Sequence, residues 1–173
     1  MRKRTAILIL LTALLPLAAG VALATQPSGL TSTLLARGAG GELRIHDKSI
    51  PLKLDARGPI DVAVVRATLD PGGSTGWHGH PGPSIVVVKT GTVTMYEPGR
   101  RNHAGGDAHA SHSDRWCSVQ AFGPGKAFVH PEQVHNFVNR STTELAEFYV
   151  VYLVPAGAAP LLNDVATAPS RCP

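Results

Sequence analysis

The chain has 173 residues, enough for one ordinary domain with short accessory segments. Apolar residues make up 43% and charged residues 16%, which excludes a charged disordered tail, a coiled coil and a collagenous repeat. The net charge of +4 is concentrated at the start: setting aside Arg2, Lys3 and Arg4 leaves 13 of the 16 basic residues against 12 acidic ones, and no basic stripe that would suit nucleic acid.

The first segment reads as an export signal. Arg2-Lys3-Arg4 precedes an apolar run from Thr5 to Ala24, broken by Pro16 and ending Ala22-Leu23-Ala24. A positive start, an apolar stretch and an A-x-A site mark a secretory signal peptide, so 1–24 is expected to be removed. The mature protein is then secreted or periplasmic, with no membrane attachment. An uncleaved anchor is the competing reading, because the apolar run is just long enough to span. In an oxidising compartment Cys117 and Cys172 are expected to form a disulfide that pins the Ala- and Pro-rich tail, 155–173. Two free or metal-binding thiols are the alternative.

Residues 25–41 are small, polar and glycine-rich, and read as a linker. From Glu42 the pattern is that of strands: Leu43–Ile45, then Ile60–Leu69, which stops at Asp70-Pro71-Gly72-Gly73. Ser84–Val88 reads as a short buried strand and Thr92–Tyr96 as an alternating one. Trp116–Phe122, Lys126–His130, Val134–Asn139 and Glu144–Val154 complete the set. Short strands with Gly and Pro between them predict an all-β sandwich or barrel over 42–154. Pro98 to Arg115 breaks the rhythm: it has no apolar side chain larger than alanine and carries His103, His109 and His112. A loop this long is functional or disordered. A solvated loop is the favoured reading over a second metal site or a lid.

The chemistry concentrates in Gly76-Trp77-His78-Gly79-His80. Side chains two apart on a strand share a face, so His78 and His80 can hold one cation between them. His135 stands in Val134-His135-Asn136-Phe137-Val138-Asn139, where alternation puts His135, Phe137 and Asn139 on one face. A neighbouring strand there would bring His135 opposite the first two. Trp77 alternates to the other face and reads as packing. His130, just before Pro131, reads as a surface residue or a support for the site, and His46 as a lone structural histidine.

These residues resemble the two motifs of the cupins, small β-barrels of the jelly-roll, double-stranded β-helix type. Gly72, five residues, His78-Gly79-His80, three residues, Ser84, six residues and Gly91 follow the spacing of the first motif. Gly125, five residues, Pro131, His135, three residues and Asn139 follow the second in part. The resemblance covers about Glu42 to Val154. It implies a cupin barrel with His78, His80 and His135 as metal ligands, and with Ser84, Val86, Val88, Phe137 and Asn139 lining a pocket. Ser84 stands where the family's ligand glutamate is usual, and Gln133 where glycine is. Without that carboxylate the site resembles the three-histidine cupins, whose best-known members are iron-dependent dioxygenases.

With the export signal, the resemblance therefore implies an exported enzyme of dioxygenase type that uses one divalent transition metal (iron, manganese, zinc, copper or nickel) on a small-molecule ligand, export coming from the signal segment and the chemistry from the resemblance. The alternative is a non-catalytic extracellular cupin that binds a small molecule or sugar beside a degenerate metal site. A third reading is a metal buffer that also uses the loop histidines. Cupins often pair through edge strands, which admits a homodimer.

Overall fold

The computed structural model describes residues 25–98, 117–131, 133–158, 163–164 and 172. The expected signal peptide and the loop histidines His103, His109 and His112 lie outside the described residues.

The described residues form strands and turns, with no helix among them. The strands are β1 (Ser28–Asp47), β2 (Leu52–Ser74), β3 (His78–Gly79), β4 (Ser84–Thr90), β5 (Val93–Pro98), β6 (Cys117–Phe122), β7 (Ala127–His130), β8 (Asn136–Val138), β9 (Ala146–Pro155) and β10 (Asn163–Asp164). The main sheet runs β6-β5-β8-β2-β9-β4-β7, with β1 also paired to β2, and every pairing is antiparallel. Its two end strands, β6 and β7, are joined by the turn after Phe122, and Phe122 stacks on Phe128 with centroids 3.8 Å apart. That contact draws the free edges together, and the sheet becomes a nearly closed barrel.

Alternation decides what fills it. Ala63, Val65, Ala67 and Leu69 of β2 face inward, as do Ala146, Phe148, Val150, Tyr152 and Val154 of β9. The register Ile60↔Pro155 to Leu69↔Ala146 sets these two rows side by side. On β4, Val86 and Val88 join them, while Ile85 and Val87 are each 41% exposed. Ser84–Val88 is therefore one-sided and not buried on both faces. An apolar run normally marks a strand covered twice; here the outer face of β4 is left open.

The sequence reading is also corrected at 25–41. Ser28–Asp47 is a strand, paired to β2 from Leu30↔Leu69 to Asp47↔Leu52. Most of its side chains are exposed, so no hydrophobic alternation marks it, and backbone pairing supplies the order instead. Beyond Gly41↔Ile60 the two strands continue as a hairpin whose end is tied by Asp47 to the backbone of Ser49 and Ile50. His46 is exposed on that hairpin.

Cys117 and Cys172 form the disulfide, with Cα atoms 5.1 Å apart. The bridge ties the C-terminal segment to the start of β6. Earlier in that segment β10 pairs with β3, Asn163 opposite Gly79 and Asp164 opposite His78.

Candidate metal centre

The site is built from the backbone outward. Gly76 has φ +68°, a conformation that L side chains rarely adopt, and a Cβ there would fall on the Thr25 carbonyl oxygen. The chain therefore turns tightly before Trp77, whose N–H donates to Thr25 Oγ1 at 2.9 Å. Trp77 is buried, and His78 then starts β3. His78 and His135 are directly opposite each other, each N–H donating to the other's carbonyl at 2.9 Å. Directly opposed residues put their side chains on the same face. Their rings accordingly lie 4.2 Å apart.

Four buried histidines meet inside the barrel mouth: His78, His80, His130 and His135. The ring centroids of His80 and His135 are 5.3 Å apart, those of His130 and His135 3.7 Å, and those of His80 and His130 5.5 Å. One ring nitrogen from each of His80, His130 and His135 lies within 4.8 Å of the other two. This compact group differs from the expected His78, His80 and His135 by one member, with His78 flanking it. His130 is wholly buried, so its reading as a surface residue is corrected. The missed signal was short but present: in Ala127-Phe128-Val129-His130, alternation puts Phe128 and His130 on one face.

Backbone carbonyls set the tautomers. His78 Nδ1 donates to the Gly76 carbonyl at 2.9 Å and His135 Nδ1 to the Gln133 carbonyl at 2.9 Å. His80 Nδ1 donates to the Gly82 carbonyl. Each donation leaves the ring's lone pair on Nε2, the usual state of a metal-ligating imidazole. His130 is the other way round: its Nε2 donates to Glu97 Oε1 at 2.9 Å, leaving the lone pair on Nδ1. That Nδ1 lies 3.4 Å from His80 Nε2.

Two lone pairs facing each other at that distance repel unless a positive charge sits between them. A proton is a poor candidate near neutral pH. Burial first, and then the neighbouring His80 and His78, lower the His130 pKa to about 4. Burial, then His78 and His130, hold His135 well below its ordinary value. The donor set thus fits a divalent ion of borderline softness, for which neutral imidazole is a natural ligand.

The structure places the other expected residues as follows. Phe137 lines a cavity of about 40 Å³ beside His78, together with Val65, Phe148, Val150 and Tyr152. Val86 and Val88 lie in the core cluster. Ser84 is buried between its strand neighbours Tyr152 and His130. Asn139 is wholly buried and donates to the carbonyls of Leu69, Asp70 and Glu144, which fixes the turns around the site. Glu97 and Tyr152 had no motif to mark them. Burial pushes the Tyr152 hydroxyl up to about 12, so it stays protonated.

No protein-family model matches the chain, and no curated protein does. Solved structures do. An oxalate oxidase in complex with the substrate analogue glycolate superposes with a TM-score of 0.50 at 20% identity, over 81% of this chain and 57% of that one. The chain thus spans little more than half of that oxidase. The polyketide cyclase RemF from Streptomyces resistomycificus gives 0.49 at 19%, over 82% and 75%. A cupin domain from Bordetella pertussis gives 0.43 at 22%, over 74% and 95%. At 20% identity the likeness to the oxidase speaks for the fold alone, and with the antiparallel strand order it gives this chain a cupin-type β-barrel fold.

Proposed function

We propose that the chain is an exported cupin that holds one divalent transition metal at its histidine cluster and acts on a small molecule as a metalloenzyme of dioxygenase type. The observation that carries this reading is the convergence of one ring nitrogen from each of His80, His130 and His135 within 4.8 Å. Bound there, the metal supplies Lewis acidity or dioxygen activation.

The chain's own groups do the rest. The Gly76, Gly82 and Gln133 carbonyls hold the imidazoles in their ligating tautomers. Phe137, Phe148 and Val150 give the cavity next to His78 apolar walls. At about 40 Å³ the cavity has room for a few atoms, since a single water needs on the order of 10–15 Å³. Dioxygen or one end of a small organic substrate fits that space. Tyr152, also on the cavity, can donate a hydrogen bond from a hydroxyl that stays protonated. The Cys117–Cys172 disulfide is consistent with export, and among the described residues no helix is long and apolar enough to cross a membrane.

The test is elemental analysis of the protein recovered from the exported fraction without a metal-binding tag. About one transition-metal ion per chain is expected, lost in His80→Ala and His135→Ala. No metal after reconstitution with iron, zinc, manganese and copper would refute the reading. Ser84, an uncharged residue at the ligand-glutamate position, favours a second reading: a barrel that binds its ligand without catalysis. Ligand binding by the metal-free protein, with no turnover in air, would select it.

A further inference from the structure

Position 84 and position 130 belong to one event in the structure. Ser84 on β4 is directly opposite Ser84's β7 partner, His130, so the two side chains share the inner face. Ser84 is 2% exposed and His130 0%. A serine fills little of the space at that place, and the buried imidazole of His130 stands opposite it on the next strand. On the other side Ser84 faces Tyr152, which closes the row.

We propose that His130 is a metal ligand of this chain through Nδ1, taking the place vacated where Ser84 replaces the motif glutamate, with Glu97 holding it from behind. The proposal rests on the metal-binding reading above and adds the ligand set. His130 Nδ1 reaches to 3.4 Å from His80 Nε2, and both atoms carry lone pairs in the tautomers their other nitrogens dictate. A shared cation converts that repulsion into two bonds. Its opposite nitrogen donates to Glu97 Oε1 at 2.9 Å, which makes a carboxylate–histidine–metal relay. The carboxylate has moved from the metal's own shell to the far side of an imidazole.

The change has a consequence for metal choice. A centre whose protein ligands are all imidazole nitrogens prefers zinc, copper, nickel or iron(II). Manganese(II), which favours oxygen donors, loses the carboxylate that would have held it.

The test uses the mature, chelator-stripped chain with Zn(II) as probe, and Mn(II) as a second probe for the paired variant and wild type, with each Kd measured by competition against a chromophoric chelator. The variants are His130→Gln, Glu97→Gln, His135→Ala and Ser84→Glu/His130→Ala. His130→Gln keeps the side chain long and able to donate to Glu97, so it tests ligation rather than folding, which far-ultraviolet circular dichroism checks. Weaker Zn(II) binding by at least about tenfold is expected in His130→Gln, and roughly ten- to hundredfold in Glu97→Gln. The paired variant returns a carboxylate to position 84, and its preference for Mn(II) over Zn(II) should rise relative to wild type. Wild-type Zn(II) affinity in His130→Gln, with binding lost in His135→Ala, would overturn the His130 assignment and leave the metal reading standing. No Zn(II) binding by the wild-type chain would overturn both.

Discussion

Acidification of the metal-free protein offers a quantitative check on the buried histidines. His130 has an ordinary value of 6.5 and a native value of about 4, because burial penalises its cation and His80 and His78 add to the penalty. Unfolded, the ring takes a proton near 6.5; folded, it resists until about 4. Stability is therefore intact above 6.5, falls with the pH through that window, and the loss is complete below about 4. At about 1.4 kcal/mol per pH unit the gap corresponds to about 3 kcal/mol from this ring alone. For a domain of this size that is roughly 6–12 °C in Tm. Urea unfolding of chelator-treated wild type and His130→Gln between pH 4 and 7.5 measures it. His80, His135 and Glu97 face the ring in both proteins, and His130 is itself one of the charges that hold His135 down, so the difference between the two slopes reports His130 together with its effect on His135. Parallel curves would show that His130 is not a desolvated neutral imidazole, and the account of the site's electrostatics would fall with it.

Other outcomes follow from single features. Cys117→Ser opens a loop with a sequence separation of 55 and should cost about 4 kcal/mol, read as a fall in urea midpoint that matches wild type under reductant. Asn139→Ala strips donors from the Leu69, Asp70 and Glu144 carbonyls. It should lower stability by roughly 2–3 kcal/mol with an unchanged m value. Phe148→Ala empties the middle of the barrel core and should cost roughly 3–5 kcal/mol in the same assay. Zn(II) at one hundred times its Kd should stabilise wild type by about 2.7 kcal/mol and leave His80→Ala unmoved, because only a ligand bound to the native state shifts the equilibrium.

Much of the barrel is legible in the chain, because strand burial is a local, period-two property. Ile60–Leu69 and Glu144–Val154 announce their inner rows through alternating side chains, and the structure pairs those rows from Leu69↔Ala146 onward. His78, His80 and His135 are legible for the same reason, reinforced by motif spacing. Where side chains face solvent the pattern falls silent. Ser28–Gly41 looks like a linker, yet backbone hydrogen bonds to β2 make it a strand. The apolar run at Ser84–Val88 looks doubly buried, yet nothing among the described residues buries Ile85 and Val87.

The fourth histidine marks the deeper limit. Ser84 reads in sequence as a lost ligand, a change that weakens the site. Only strand register reveals that His130 lies opposite it, and only the folded barrel brings Glu97 within 2.9 Å of that ring from 33 residues away. Local periodicity assigns a residue to a face. It carries no information about which residue of another strand shares that place, because register is settled by the packing of whole strands at once.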